Sequence, residues 1–215
     1  MFRSLTPVVK NLLIINVLFF LGTMAWEGNP GAGAEGGVAG FMAMGRGALA
    51  AYPPTSPLFY PVQVVTNIFM HADFRHLLFN MIGLYFFGSI VERAMGPQRF
   101  FGFYIASGIA GLLAFWVGGY ALGTLGPYSS VWGASGAVYA IMLSVAYLAP
   151  DLRVQLLIPP IPIKMAYLAV GLVAFDVFRT YFGMGGNVAT TAHIGGALFG
   201  LLMTMYWVKR GVIRA

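Results

Sequence analysis

Cysteine is absent from the 215 residues, and charge is scarce: Asp, Glu, Lys and Arg together make up 8% of the chain. Without thiols there is no disulfide framework, no thiolate metal site and no cysteine nucleophile, and the redox compartment leaves no trace in the sequence. A soluble domain has roughly a quarter of its residues charged. The low charge, 59% hydrophobic residues and a mean hydropathy of +0.81 exclude that class and point to a membrane. Acids are the scarcest group, six against twelve Lys and Arg, which leaves a net charge of +6 and a pI near 9.7. The basic residues stand singly among long apolar segments and form no stripe for a nucleic acid to track, so no nucleic-acid partner is expected. Histidines number three, and no His-Glu-x-x-His is present. The five-residue step from His71 to His76 breaks the one-face geometry that an intramembrane metalloprotease needs. An internal duplication of the kind that builds small transporters is missing as well.

What remains is apolar sequence at membrane length. Six stretches approach the roughly 20 residues a spanning helix requires, at about 9–26, 75–93, 99–122, 135–150, 161–182 and 190–208. They predict an all-α, polytopic six-helix bundle, one membrane domain over 1–215. The first stretch follows Arg3 and Lys10 as a signal peptide would, but no small-x-small cleavage pattern follows Ala25 and Trp26, so a retained helix is expected. The long connection, about 27–74, opens in Gly and Ala and ends in the apolar PLFYPVQVVTNIFM, which reads either as a segment lying in the interface or as a loop with aromatic anchors. Nine basic residues (Arg3, Lys10, Arg93, Arg99, Arg153, Lys164, Lys209, Arg210, Arg214) fall on one face and three (Arg46, Arg75, Arg179) elsewhere. This bias predicts cytoplasmic termini, with the long connection and the starts of the second, fourth and sixth helices facing outward.

Polar side chains at membrane depth are costly, and few are present. Gly133-Ala134-Ser135-Gly136 opens the fourth apolar stretch. Small neighbours leave the Ser135 hydroxyl uncrowded, and a helix start leaves backbone N–H groups free to face an oxyanion. The same four residues also suit a packing site or an N-cap. In the last stretch His193, Gly196 and Gly200 share one face, nearly bare backbone, against which another helix can approach closely. The small residues around Ser135 make the fourth helix the natural partner, and imidazole is a fitting base for a serine hydroxyl. Tyr139, one turn from Ser135, falls on the same side, where it either supports that ring or simply packs. His76 and Asn80, four apart on the second helix, are donors of the type that hold an oxyanion. His71 reads as a polar interface cap in the loop just ahead of it, in preference to a direct catalytic role. Asp176 and Arg179, one turn apart, read as a local pair near the outer interface in preference to a catalytic role, and Glu92 as an interhelical contact. Ser129 and Ser130 lack the setting of Ser135.

His71-x4-His76-x3-Asn80, Gly133-x-Ser135-Gly136 and Ala192-His193-x2-Gly196-x3-Gly200, in that order on the second, fourth and sixth stretches, resemble the rhomboid family of intramembrane serine proteases. Glu92-Arg93-x2-Gly96 adds to the likeness, which runs from about 60 to 208. The resemblance implies a serine endopeptidase that cuts membrane-anchored proteins in or near a transmembrane segment through an acyl-enzyme. Ser135 is then the nucleophile, His193 the base of a dyad without an acid, and His76, Asn80 and the Ser135 amide the oxyanion hole. Tyr139, Gly133, Gly136, Gly196, Gly200 and His71 support it. Substrate entry is implied at Phe175, Phe178, Tyr181 and Phe182 and the loop Gly183 to Thr191. The expected partners are transmembrane protein substrates and the lipid bilayer, with no metal or cofactor. The short tails suggest a bacterial inner membrane. The rival reading is a rhomboid-like pseudoprotease that binds transmembrane segments without cutting them.

Overall fold

Helix α1 (Pro7–Met24) starts at a proline, whose fixed φ suits the first helical position. Its free N–H groups are satisfied from another element: Glu92 accepts from Val8 N (3.1 Å), Val9 N (2.9 Å) and the Thr6 hydroxyl (2.5 Å). A carboxylate at a helix N-terminus also opposes the positive end of the dipole. Glu92 is thus the interhelical contact expected from the sequence. The computed structural model describes residues 5–26, 28, 36–155, 160–182 and 187–213, with backbone alone at 187–189.

Between α1 and the next long helix lie α2 (Gly37–Ala43), a 3₁₀ turn at Gly45–Leu49, α3 (Gln63–Thr66) and a second 3₁₀ turn at Asn67–Phe69. This connection has its own core: Met44, Ala48, Ala50, Tyr52 and Leu58 pack with Trp26, Phe41, Tyr60 and Trp132. The buried Gln63 side chain holds it together, donating to the Ala48 and Leu58 carbonyls and accepting from Tyr52 N and Tyr60 N.

Helix α4 (Phe74–Gly83) passes through a π turn at Leu84–Gly88 into α5 (Ser89–Met95), one continuous rod of 22 residues. Then follow α6 (Pro97–Ala121), α7 (Ser135–Leu148), the hairpin β1 (Arg153–Gln155) and β2 (Pro162–Lys164), α8 (Met165–Tyr181) and α9 (Asn187–Lys209). The chain is an integral membrane protein of mostly helical, polytopic build. Among the described residues, four helices are long and apolar enough to cross a membrane: Pro7–Met24, Phe74–Met95, Pro97–Ala121 and Thr190–Lys209. Helix α7 is shorter, with 14 residues, because Pro150 ends it. Helix α8 has 17 residues and begins later than the expected 161. Residues 162–164 pair with 153–155 instead, since prolines at 160 and 162 oppose a helix there.

Helices α6, α7 and α9 meet along their smallest residues. A Cβ at Gly196 would lie 2.7 Å from the Gly136 Cα, one at Gly200 2.9 Å from the Ala140 Cα, and one at Gly111 2.7 Å from the Ala192 carbonyl oxygen. Close approach of this kind replaces the hydrophobic drive that lipid does not supply. Farther along the same seam, Ser144 and Thr204 hydroxyls bond at 2.8 Å. Around it Phe100, Phe103, Tyr104, Val138, Ile141 and Leu84 form the main core.

Candidate active site

The chain reaches Ser135 through Gly133, whose φ of +124° lies in the region that favours glycine. The Gly133 N–H donates to the Asn67 carbonyl (2.8 Å), and Val131 bridges to Ala51, so the loop that delivers Ser135 is tied to the long connection at two points. Ser135 is half-buried at the first position of α7, where its N–H has no intrahelical acceptor. Glycine at 136 then lets α9 in, with Gly196 against it.

His193 projects from α9 over the face of α7. The Tyr139 ring stacks on its imidazole, centroids 4.6 Å apart and planes 16° from parallel. Tyr139 therefore touches the ring its sequence position suggested. No hydrogen bond joins the Ser135 hydroxyl to His193 in this arrangement. The imidazole is held instead from its other side, where Nδ1 lies 2.5 Å from Asp176 Oδ2. The same oxygen accepts from the Tyr139 hydroxyl at 2.7 Å.

This corrects the reading of Asp176. It is not confined to a pair with Arg179 one turn away, and His193 does not lack an acid. Asp176 is buried on the side of α8 that meets α7 and α9, whereas the Arg179 guanidinium sits over the Phe175 ring, 5.9 Å from its centroid. The signal was available in the cost of a carboxylate in an apolar helix. Its partner, 17 residues away on another helix, was not.

On the opposite side of Ser135 the Asp73 carboxylate caps α4 by accepting from His76 N at 2.8 Å. The His76 imidazole lies where a Cβ at Gly133 would be, 2.8 Å from its Cε1 and Nε2, and Ser135 Oγ is 3.7 Å from the same point. Ala72 N points at His76 Nδ1 from 3.5 Å, which favours the tautomer with its proton on Nε2, the nitrogen facing Gly133. Asn80, buried one turn on, donates to the His76 carbonyl (3.1 Å).

His71 lies in the loop just ahead of α4. It is 2% exposed, its ring set edge-on to His76 with centroids 5.1 Å apart, and both its ring nitrogens are buried without a hydrogen-bond partner. Burial, and next the neighbouring His76, push its pKa down to about 4 against a smaller opposing pull from the Phe69 carbonyl.

The aromatic residues of α8 divide. Phe175 lines a cavity of about 520 Å³ with Asp73, Arg75, His76, Phe79 and Arg179, between α4 and α8. Phe178, Tyr181 and Phe182 are exposed and cluster with one another at 4.4 and 5.2 Å. Of the loop Gly183 to Thr191, residues 183–186 lie outside the described residues.

Residues 59–210 match the family model described as Rhomboid domain. The chain is 33% identical over 145 residues to RHOMBOID-like protein 12, mitochondrial, of Arabidopsis thaliana, covering 62% of this chain and 43% of that protein. It is 31% identical over 150 residues to Rhomboid protein 1, mitochondrial, of Saccharomyces cerevisiae, covering 69% and 42%. With the Rhomboid protease GluP of Bacillus subtilis it shares 31% over 141 residues, covering 64% and 24%. The chain spans less than half the length of each of these relatives.

Proposed function

Because the chain belongs to the rhomboid family, we propose that it is an intramembrane serine endopeptidase, acting on transmembrane protein substrates with Ser135 as nucleophile and His193 as base. The observation that carries this reading is the His193 imidazole stacked on the α7 face that begins with Ser135. Ser135 Oγ attacks the scissile carbonyl carbon as its proton passes to His193 Nε2, and the carbonyl electron pair moves to oxygen. Collapse breaks the C–N bond, the leaving amine takes the proton from His193, and water repeats the sequence on the acyl-enzyme. The Ser135 N–H, His76 Nε2 and the Asn80 amide are donors for the oxyanion. Gly133, Gly136, Gly196 and Gly200 let the helices approach, while Tyr139 and His71 brace the two imidazoles. The cavity beside Phe175 is the substrate's approach, with Phe178, Tyr181 and Phe182 at the bilayer.

In this reading α7 and α8 complete six spans, and residues 1–215 act as one unit. Fourteen residues of α7 rise about 21 Å against a hydrocarbon core of about 30 Å. A span that short leaves Ser135 about 9 Å below one surface, inside a water-filled recess. The termini are cytoplasmic, in a bacterial inner membrane.

Reconstituted protein with a fluorogenic transmembrane substrate tests the assignment. Hydrolysis is expected in the parent and lost in Ser135→Ala and His193→Ala, with fluorophosphonate labelling of Ser135, while Asn80→Ala slows the reaction about 10²–10³-fold. Parental cleavage by Ser135→Ala would sink it. Substrate binding without hydrolysis or labelling in the parent would favour the pseudoprotease reading.

A further inference from the structure

The acid beside His193 lies on a helix that neither Ser135 nor His193 belongs to. Asp176 Oδ2 receives two hydrogen bonds, from His193 Nδ1 and from the Tyr139 hydroxyl, and Tyr139 also lies flat against the imidazole. Both side chains of this contact are largely enclosed, 17% exposed for His193 and 12% for Asp176. Thr190, on the turn of α9 before His193, donates to the Asp176 carbonyl (3.4 Å) and bonds the Thr180 hydroxyl (2.5 Å). The carboxylate is thus fixed from α7, α8 and α9 together.

We propose that Asp176 is the positioning residue of this site, turning the dyad of Ser135 and His193 into a Ser-His-Asp array whose acid is carried by α8. The proposal rests on the reading of Ser135 and His193 as the catalytic pair. A carboxylate only accepts, so Nδ1 must bear the proton. That leaves the Nε2 lone pair as the base and fixes the ring plane, and the negative charge stabilises the imidazolium formed when Ser135 gives up its proton. Asp176 itself transfers no proton. Because the acid belongs to α8, the base is correctly held only while α8 is docked against α7 and α9, so a displacement of α8 disarms His193.

Asp176→Asn tests this. Asparagine keeps the volume and one acceptor for Tyr139, but it removes the charge and lets Nδ1 face an amide N–H. The expected result is a fall in kcat of about 10²–10⁴-fold with KM unchanged, partial recovery in Asp176→Glu, and a much smaller loss in Tyr139→Phe, which removes the other bond to the same oxygen. Parental kcat in Asp176→Asn overturns the proposal, and so do equal losses in Asp176→Asn and Tyr139→Phe, the pattern of a purely structural tie. A second measurement needs no folded variant at position 176. Proton NMR of the parent and of Ser135→Ala is expected to show a low-field Nδ1–H resonance assigned to His193, and its absence overturns the proposal. The underlying assignment fails separately, through an inactive parent or an active Ser135→Ala.

Discussion

A side chain at residue 133 would need the space that the His76 imidazole occupies and a φ of +124°. Gly133→Ala therefore moves His76 or the backbone ahead of Ser135. With His76 as oxyanion donor, the variant is expected to lose about 10²-fold in kcat, approaching removal of one donor, and about 1–2 kcal/mol of stability from the strained φ. Cleavage kinetics and thermal unfolding in detergent measure both, and parental kcat would remove His76 from the site. Residues of this kind were legible from sequence because each carries a local signature. Gly-x-Ser-Gly announces a bare helix start, and His193 with Gly196 and Gly200 announces a face for close approach. Asp176 was read only in part, because local spacing offered Arg179 three residues away, while its hydrogen-bond partners, Tyr139 and His193, lie on other helices. The loop position of His71 was legible but its burial was not, because a polar residue before a helix is usually wet, and here the ring of His76 lies against it.

Helices in this protein are distinguished by where their glycines point. At Gly196 an added Cβ meets the Gly136 backbone, whereas at Gly102 in α6 it meets nothing within 4 Å. Gly196→Val is expected to part α7 from α9, costing about 1–3 kcal/mol by overpacking and abolishing cleavage, since His193 is carried one turn away. Gly102→Ala is expected to raise stability by about 0.5–1 kcal/mol through the entropy of the unfolded chain, with activity kept. Thermal unfolding of the two variants beside the parent gives opposite signs. Equal shifts would contradict the packing. At this scale the four long helices were readable from hydropathy to within a few residues, because an apolar run of such length has one use. The hairpin 153–155/162–164 was not, since its strands are three residues long and an apolar count merged the second into α8. The short helices of the long connection escaped for a related reason: they are held by Gln63, a single buried amide serving four backbone groups, and no periodicity marks that.

For the molecule as a whole, the connection between α1 and α4 is a folded brace. It meets the Ser135 loop at Ala51 and Asn67 and ends on His71, which it buries against His76. His71 links the stability of that brace to pH. Its pKa is near 6.5 when unfolded and about 4 when folded. Between those values the unfolded chain binds more protons, so stability rises with pH across the window. It is fully present above about 6.5, and is lost progressively as pH falls toward 4, by at most about 3 kcal/mol. Asp73, exposed and held below the usual carboxylate range by accepting from His76 N, contributes in the same direction at lower pH. Thermal unfolding in detergent at pH 7.5, 5.5 and 4.5 is expected to show the midpoint falling between the first and the last. His71→Phe keeps a ring but cannot take a proton, and is expected to flatten that fall whatever its effect at pH 7.5. A slope as steep in His71→Phe as in the parent would assign the acid sensitivity to another group and remove His71 from the account.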